Sequence, residues 1–389
     1  MNFGIYIHIP YCLQRCRYCD FTTFEQDQIL PPQQYVNHLL NEIRTRHQMV
    51  PYKNLYSLYF GGGTPSLLDP ELIKKIVMEI KQVGFCINDQ TEITIEINPA
   101  TISPEKLEAY LDIGINRFSV GAQTFNNDHL KSCGRRHSAD HTHETLVLLQ
   151  KYKVEYSFDL LFALPHQTIA QLKTDLEHVQ YYRPDHLSAY CLTVPEGHPM
   201  SQNRPADKRQ VEMFNLIEQE LLKVDLEKYE ISNFAQKNKW SRHNMLYWSQ
   251  QAYWGVGVSA HSFFPRLGEF GTRFWNPNNL KTYLEQTELP SRISRDLPLE
   301  IERETLLKNE SLTDIHHTFL RLSSGLPFAL LNQWEKKIRD LAEFRINGLL
   351  KKGWLVKTDH SYVLSKSGEK LSNLVFQELT FLKEDLIGS

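Results

Sequence analysis

Short apolar runs alternate with amphipathic stretches through the first half of the chain. Residues 3–9, 55–60, 92–97, 117–120, 155–161 and 186–193 read as strands. Between them, 33–48, 70–83, 104–112, 139–151 and 169–181 repeat their apolar residues at helical spacing, with Val36, Leu39, Leu40 and Ile43 sharing one face of the first. Pro70 and Pro104 sit where helices begin. One helix between each successive pair of strands predicts an α/β fold, a parallel sheet with right-handed crossovers. Six such units fall short of a complete eight-unit barrel, so the expected architecture is a partial (β/α)6 TIM-like barrel.

From about residue 290 the pattern changes. Stretches 300–308, 313–322, 330–344 and 345–353 read as helices, and 354–358 and 362–364 flank Asp359-His360 as a hairpin. Helices followed by a hairpin suggest a smaller, mostly helical, winged-helix-like C-terminal domain. The plan is a barrel over 1–200, a barrel extension over 201–289 and a C-terminal domain over 290–389. Winged helices often bind DNA, which makes a zinc-stabilised regulator a competing reading. Between Gln333 and Lys370, however, nine Lys/Arg stand against five Asp/Glu, too modest an excess for a nucleic-acid face.

Composition narrows the classes further. The 389 residues hold 43 Lys+Arg and 46 Asp+Glu, a net charge of -3, which gives no bulk attraction to nucleic acid or membranes. No apolar run approaches the roughly 18 residues of a membrane span. The start, Met1-Asn2-Phe3-Gly4-Ile5-Tyr6, lacks the regions of a signal peptide. Of six cysteines, Cys12, Cys16 and Cys19 lie together as C-x3-C-x2-C. That is a metal pattern of a reducing compartment, and a cytoplasmic location is expected.

Three thiolates on one short loop can hold three irons of a cubane [4Fe-4S] cluster and leave the fourth open to a small molecule. The same set suits zinc, with His8 as a further ligand, although His8 lies in an apolar run. Cys86, Cys133 and Cys191 are expected as small core residues. Unusual residues recur at one end of the strands: the cysteine loop after the first, Gly61-Gly62-Gly63-Thr64-Pro65 after the second, Glu96 and Asn98 at the third, Gln123 past the fourth, Asp159 in the fifth and Tyr190 in the sixth. In β/α barrels that rim carries the active site. Glycines there let a ligand approach the backbone closely. His243 can serve as a metal ligand or simply hydrogen-bond in a loop, and Tyr247, Trp248, Tyr253 and Trp254 offer either a flat aromatic surface or core packing.

The cysteine loop, preceded by Tyr6-Ile7-His8-Ile9-Pro10, resembles the radical S-adenosylmethionine superfamily. Gly61-Gly62-Gly63-Thr64-Pro65, Glu96-Ile97-Asn98-Pro99, Ser119 to Phe125, Gly134-Arg135 and Asp159 to Pro165 resemble its coproporphyrinogen III dehydrogenase branch. Asp20-Phe21 after the third cysteine, the start of the chain close to His8, and His243-Asn244-Met245-Leu246-Tyr247-Trp248 resemble the heme chaperones of that branch rather than the dehydrogenase.

The resemblance implies a [4Fe-4S] cluster on Cys12, Cys16 and Cys19. It implies S-adenosylmethionine, cleaved on one-electron reduction to a 5′-deoxyadenosyl radical, in contact with Tyr6, Gly62, Gly63, Thr64, Glu96, Gln123, Arg135 and Asp159. It implies heme on His243 and transfer of that heme to an acceptor protein, of which a respiratory hemoprotein is one kind. Nucleic acid is not expected as a partner, and membrane contact would be transient. Oxidative decarboxylation of coproporphyrinogen III is the alternative activity. The C-terminal domain would be a lid beside the porphyrin site.

Overall fold

The structure, a computed structural model, describes residues 2–288 and 302–387. The strands β1 (Phe3–Ile9), β2 (Ser57–Gly62), β3 (Glu92–Ile97), β4 (Arg117–Gln123), β5 (Glu155–Phe162) and β6 (His186–Cys191) lie side by side in chain order, every neighbouring pair parallel. The connecting helices are Pro32–Arg46, Pro70–Gln82, Pro104–Ile113, Ala139–Tyr152 and Ile169–Tyr182. Four start on side-chain caps from Asp69, Ser103, Ser138 and Thr168, which satisfy the first free backbone N–H groups. Alternate strand residues, including Ile5, Ile7, Leu58, Phe60, Ile93, Ile95, Phe118, Val120 and Phe158, join the helices in one continuous apolar core. Each such side chain contributes about 1.5–3 kcal/mol when fully buried.

The sheet is twice as wide as the six-strand reading. It continues through β7 (Glu227–Glu230), β8 (Asn233–Ala235), β9 (Ala252–Val256), β10 (His261–Phe264), β11 (Thr272–Trp275) and β12 (Glu302–Thr305), in the order β12-β11-β10-β9-β1-β2-β3-β4-β5-β6-β8-β7. β9 pairs parallel to β1, and the strands outside it run antiparallel. β12 corrects the helix expected over 300–308, of which 300 and 301 lie outside the described residues. Its Glu302, Arg303, Glu304 and Thr305 are all exposed on the sheet edge, opposite Trp275, Phe274, Arg273 and Thr272. Charged residues are common on edge strands, and here they imitate a solvated helix.

A second apolar core unites Leu312, Leu320, Ile338, Ile346, Leu349, Val375 and Phe381. Its helices include Lys308–Arg321 and Lys336–Lys351, the latter running unbroken through the boundary expected at 344/345. A short helix, Phe328–Leu331, precedes it. The expected hairpin is present as Leu355–Lys357 and Ser361–Leu364, with Leu326–Pro327 as a third strand. The division at 289/290 lies outside the described residues. This unit is fastened to the barrel by Arg321, whose Nε donates to Glu230 Oε2 at 2.6 Å and whose guanidinium lies 4.4 Å over the Trp248 ring. Gln250 donates to Thr318, and Arg273 pairs with Asp314.

Candidate functional site

The strand residues that do not join the core face a cavity of about 1090 Å³ lined by the barrel lumen and its mouth. A complete β/α barrel fills this space with layers of branched apolar side chains. Here the inward positions carry Tyr6 and His8 on β1, Tyr59 on β2, Thr94 and Glu96 on β3, Arg117 and Ser119 on β4, Ser157 and Asp159 on β5, and Ser188 and Tyr190 on β6. Buried polar atoms without a partner line the same space: Thr94 Oγ1, Asn98 Oδ1, Arg117 Nη2, Arg135 Nε, His186 Nδ1 and Trp248 Nε1. A buried polar atom left unpaired is costly. Such a lining suits a ligand rich in hydroxyl, amino and carboxylate groups.

The cysteine loop closes one side of the mouth. Tyr11–Cys12 pairs with Phe24–Glu25, and the Tyr11 hydroxyl donates to Leu30 O at 2.8 Å, so both ends of the loop are fixed. Cys12, Cys16 and Cys19 all line the cavity and sense one another electrostatically. Burial pushes the Cys12 and Cys19 thiols up, while the Thr23 hydroxyl beside both, and Thr64 beside Cys12, act in the opposite direction. Arg135 Nη1 lies 3.4 Å from Cys16 Sγ. Every sulfur therefore has neighbours suited to a thiolate. Among the described residues, no group of three or more His, Cys, Asp or Glu is placed to hold a single metal ion. His8 does not complete the set: its Nδ1 meets the Tyr6 hydroxyl and its Nε2 the Thr22 carbonyl.

The glycines across the mouth leave room for a ligand and for their neighbours. Gly62 has φ +110°, and a Cβ there would lie 2.6 Å from the His8 ring; at Gly63 it would lie 2.5 Å from Tyr11 O. Gly62 N–H donates to Glu96 Oε2 at 3.1 Å and the Tyr59 hydroxyl to Glu96 Oε1 at 2.9 Å. Desolvation still raises the Glu96 carboxyl to about 7, with Asp159 adding to the rise. Desolvation raises Asp159 to about 6 against the pull of Ser188 and Arg135. Gln123, at the end of β4, takes a left-handed backbone with φ +66°. Arg135 donates to Gly121 O as well as approaching Cys16, and its buried Nε has no partner among the described residues. The structure thus brings Tyr6, Gly62, Gly63, Thr64, Glu96, Gln123, Arg135 and Asp159 to the same cavity as the three cysteines.

His243 lines the same cavity from a different element. It belongs to the helix Arg242–Trp248, whose N-terminal Arg242 and His243 N–H groups donate to Glu92 Oε2 and Oε1 at 3.0 and 3.1 Å. Its Nδ1 meets Ser57 Oγ at 2.8 Å and its Nε2 the Tyr247 hydroxyl at 2.8 Å. Ser57 and Glu92 open β2 and β3, whereas Gly62 and Glu96 lie toward their far ends. The side chains bridge the two levels: the His243 ring lies 6.2 Å from that of Tyr6, and Tyr59, which it stacks on, bonds Glu96. The ring is buried, stacks on Tyr59 at 5.1 Å, and burial lowers it to about 3, so it is neutral. Of the aromatics, Tyr247, Trp248 and Tyr253 line the cavity, while Trp254 is buried in the core.

One of the remaining cysteines corrects the expectation of core packing. Cys86 is exposed, its backbone bridging to Asn54. Cys133 is buried, and Cys191, half-buried against the main core, also lines the cavity with Sγ 3.4 Å from Gln210 Oε1. Sequence reasoning also missed Thr94, Ser119, Ser157 and Ser188. Their signal was alternation: each hydroxyl sits between two apolar neighbours in a strand, which marks a face that is not packed against helices.

A polar lumen, a cysteine loop after the first strand and a glycine turn after the second define a radical S-adenosylmethionine protein, and the Radical SAM superfamily profile matches residues 6–179. The fold is similar to that of coproporphyrinogen III oxidase (HemN) from Escherichia coli, a radical SAM enzyme, with a TM-score of 0.79 at 20% identity over 97% of this chain and 90% of that one. The chain belongs to the heme chaperone HemW family. It is 34% identical to heme chaperone HemW of Synechocystis over 86% of this chain and 82% of the relative. To those of Bacillus subtilis and Haemophilus influenzae it is 31% and 30% identical, over 95% and 98% of this chain and 97% and 98% of theirs.

Proposed function

We propose that this chain binds heme together with a [4Fe-4S] cluster and S-adenosylmethionine, and hands the heme to an acceptor protein. The observation that carries this reading is the match to heme chaperones along nearly the whole length, not only across the superfamily segment. Cys12, Cys16 and Cys19 would hold the cluster, with Arg135 and the Thr23 and Thr64 hydroxyls around the sulfurs. When bound, the cluster supplies a one-electron reductant and S-adenosylmethionine a sulfonium that can accept the electron. Glu96 and Asp159 would receive hydroxyl or ammonium donors of S-adenosylmethionine as carboxylates, which a cationic ligand favours. Gly62 and Gly63 would seat its polar head, with Tyr6, Thr64 and Gln123 around it.

His243, by its motif, is the residue offered for heme, and the Tyr247 hydroxyl would have to leave Nε2 for iron to bind there. The C-terminal unit would act as the lid, since Arg321 reaches Trp248 in the cavity wall. A respiratory hemoprotein as acceptor, a cytoplasmic location and transient membrane contact belong to the same proposal. No helix among the described residues is long and apolar enough to cross a membrane.

The test is anaerobic reconstitution followed by heme titration, with and without S-adenosylmethionine, and then incubation with an apo-hemoprotein. A cubane spectrum, stoichiometric heme uptake and loss of heme to the acceptor are expected. Anaerobic turnover of coproporphyrinogen III to protoporphyrinogen IX would instead establish the dehydrogenase.

A further inference from the structure

Four histidines line the cavity: His8, His186, His243 and His261. Three have ring nitrogens already taken. His8 is held by Tyr6 and Thr22, and His243 by Ser57 and Tyr247, through both nitrogens in each case. His186 gives Nε2 to the Tyr229 hydroxyl and is buried, its free Nδ1 deep in the barrel. His261 differs on every count. It opens β10, its side chain is exposed at the cavity wall, and among the described residues neither ring nitrogen has a hydrogen-bond partner.

Its surroundings are those of a held ligand rather than a free surface residue. The imidazole lies flat on the Trp275 ring, with centroids 5.4 Å apart and planes 19° from parallel. Trp275 is fixed in turn by Nε1 donating to Glu302 Oε2 at 2.5 Å and by the β10–β11 pairing of His261 with Trp275. Tyr253, paired across the sheet with Phe263 two residues from His261, lines the same cavity.

We propose that His261 is an axial ligand for the iron of a metalloporphyrin entering the open side of the cavity, with Trp275 orienting its ring. This rests on the heme reading above and replaces the motif histidine as first point of attachment. Iron can reach His261 without breaking a hydrogen bond, whereas His243 must first lose Tyr247.

The test is ferric heme titration into the full chain, reconstituted anaerobically with its cluster. Ligation is read by electron paramagnetic resonance and near-infrared magnetic circular dichroism. The unaltered chain is expected to show a nitrogenous axial ligand. His261→Ala should lose that signature and weaken binding about tenfold or more, and added imidazole should restore the signature. His261→Gln should behave alike with an unchanged melting temperature, since the side chain is exposed. A wild-type ligand signature in His261→Ala, or its loss in His243→Ala with His261 intact, would overturn the assignment alone. No heme uptake by the unaltered chain would overturn the heme reading and this assignment with it.

Discussion

The two faces of the central sheet are built from opposite materials. Facing the helices, β1 to β6 carry Ile, Leu, Val and Phe, nearly all fully buried. Facing the lumen, the same strands carry hydroxyls, carboxylates, an arginine and histidines. The fold is held from outside, and the inside is left free for chemistry. In a packed barrel, substitution of a lumen residue costs stability; here the costs separate, with outer changes acting on folding and inner changes on binding.

This separation can be broken in graded ways. The largest effect is expected from Phe158→Ala on the helix-facing side, which should lower stability by about 3–5 kcal/mol in denaturant unfolding. The folded fraction should still take up its cluster. A second large effect tests a polar knot on the helix side. Glu42, fully buried, accepts from Arg46 at 2.7 Å, Asn276 at 2.7 Å and Tyr283 at 2.8 Å. Glu42→Ala leaves Arg46 buried without its counter-charge, held only by the Asn276 amide oxygen, and should cost about 3–5 kcal/mol. Next comes Ser157→Leu on the lumen side of Phe158. It should move stability by about 1 kcal/mol or less if the cavity accepts the volume, while reducing S-adenosylmethionine affinity in calorimetry. A loss as large as that of Phe158→Ala would show that the lumen is load-sensitive after all.

A smaller effect concerns pH. Glu96 rises from about 4.5 to about 7 on folding and Asp159 from about 3.8 to about 6. Groups raised on folding stabilise the protein below their unfolded values, and that contribution is lost as pH rises through the folded ones. The ligand-free protein should therefore lose stability between about pH 4 and 7, and Glu96→Gln should flatten part of that slope in thermal melts. The smallest change expected is Ser57→Ala, which removes one hydroxyl from His243 and should cost about 1 kcal/mol. Cluster content should not change.

The contrast also explains what could be read from the sequence. The six parallel strands and their helices were legible because apolar residues at period two and at helical spacing mark them plainly. The gathering of the cysteines, Gly62, Gly63, Glu96, Gln123 and Asp159 around one cavity was legible because they fall at strand ends. The outer strands were not. β7, β8, β10, β11 and β12 are three or four residues long, too short for periodicity, and Glu302 to Thr305 alternates charges as a helix surface does. His261 was missed because a lone histidine between Ala260 and Ser262 has no pattern; only the geometry shows its nitrogens free. His243 had the pattern, and only the fold shows how deep it lies.

β3 reaches both ends of the chamber. Glu92 at its beginning anchors the helix that bears His243, and Glu96, four residues on, receives the glycine turn facing the cysteines. One strand therefore carries both contacts, four residues apart, so the histidine helix and the glycine turn share a single backbone support.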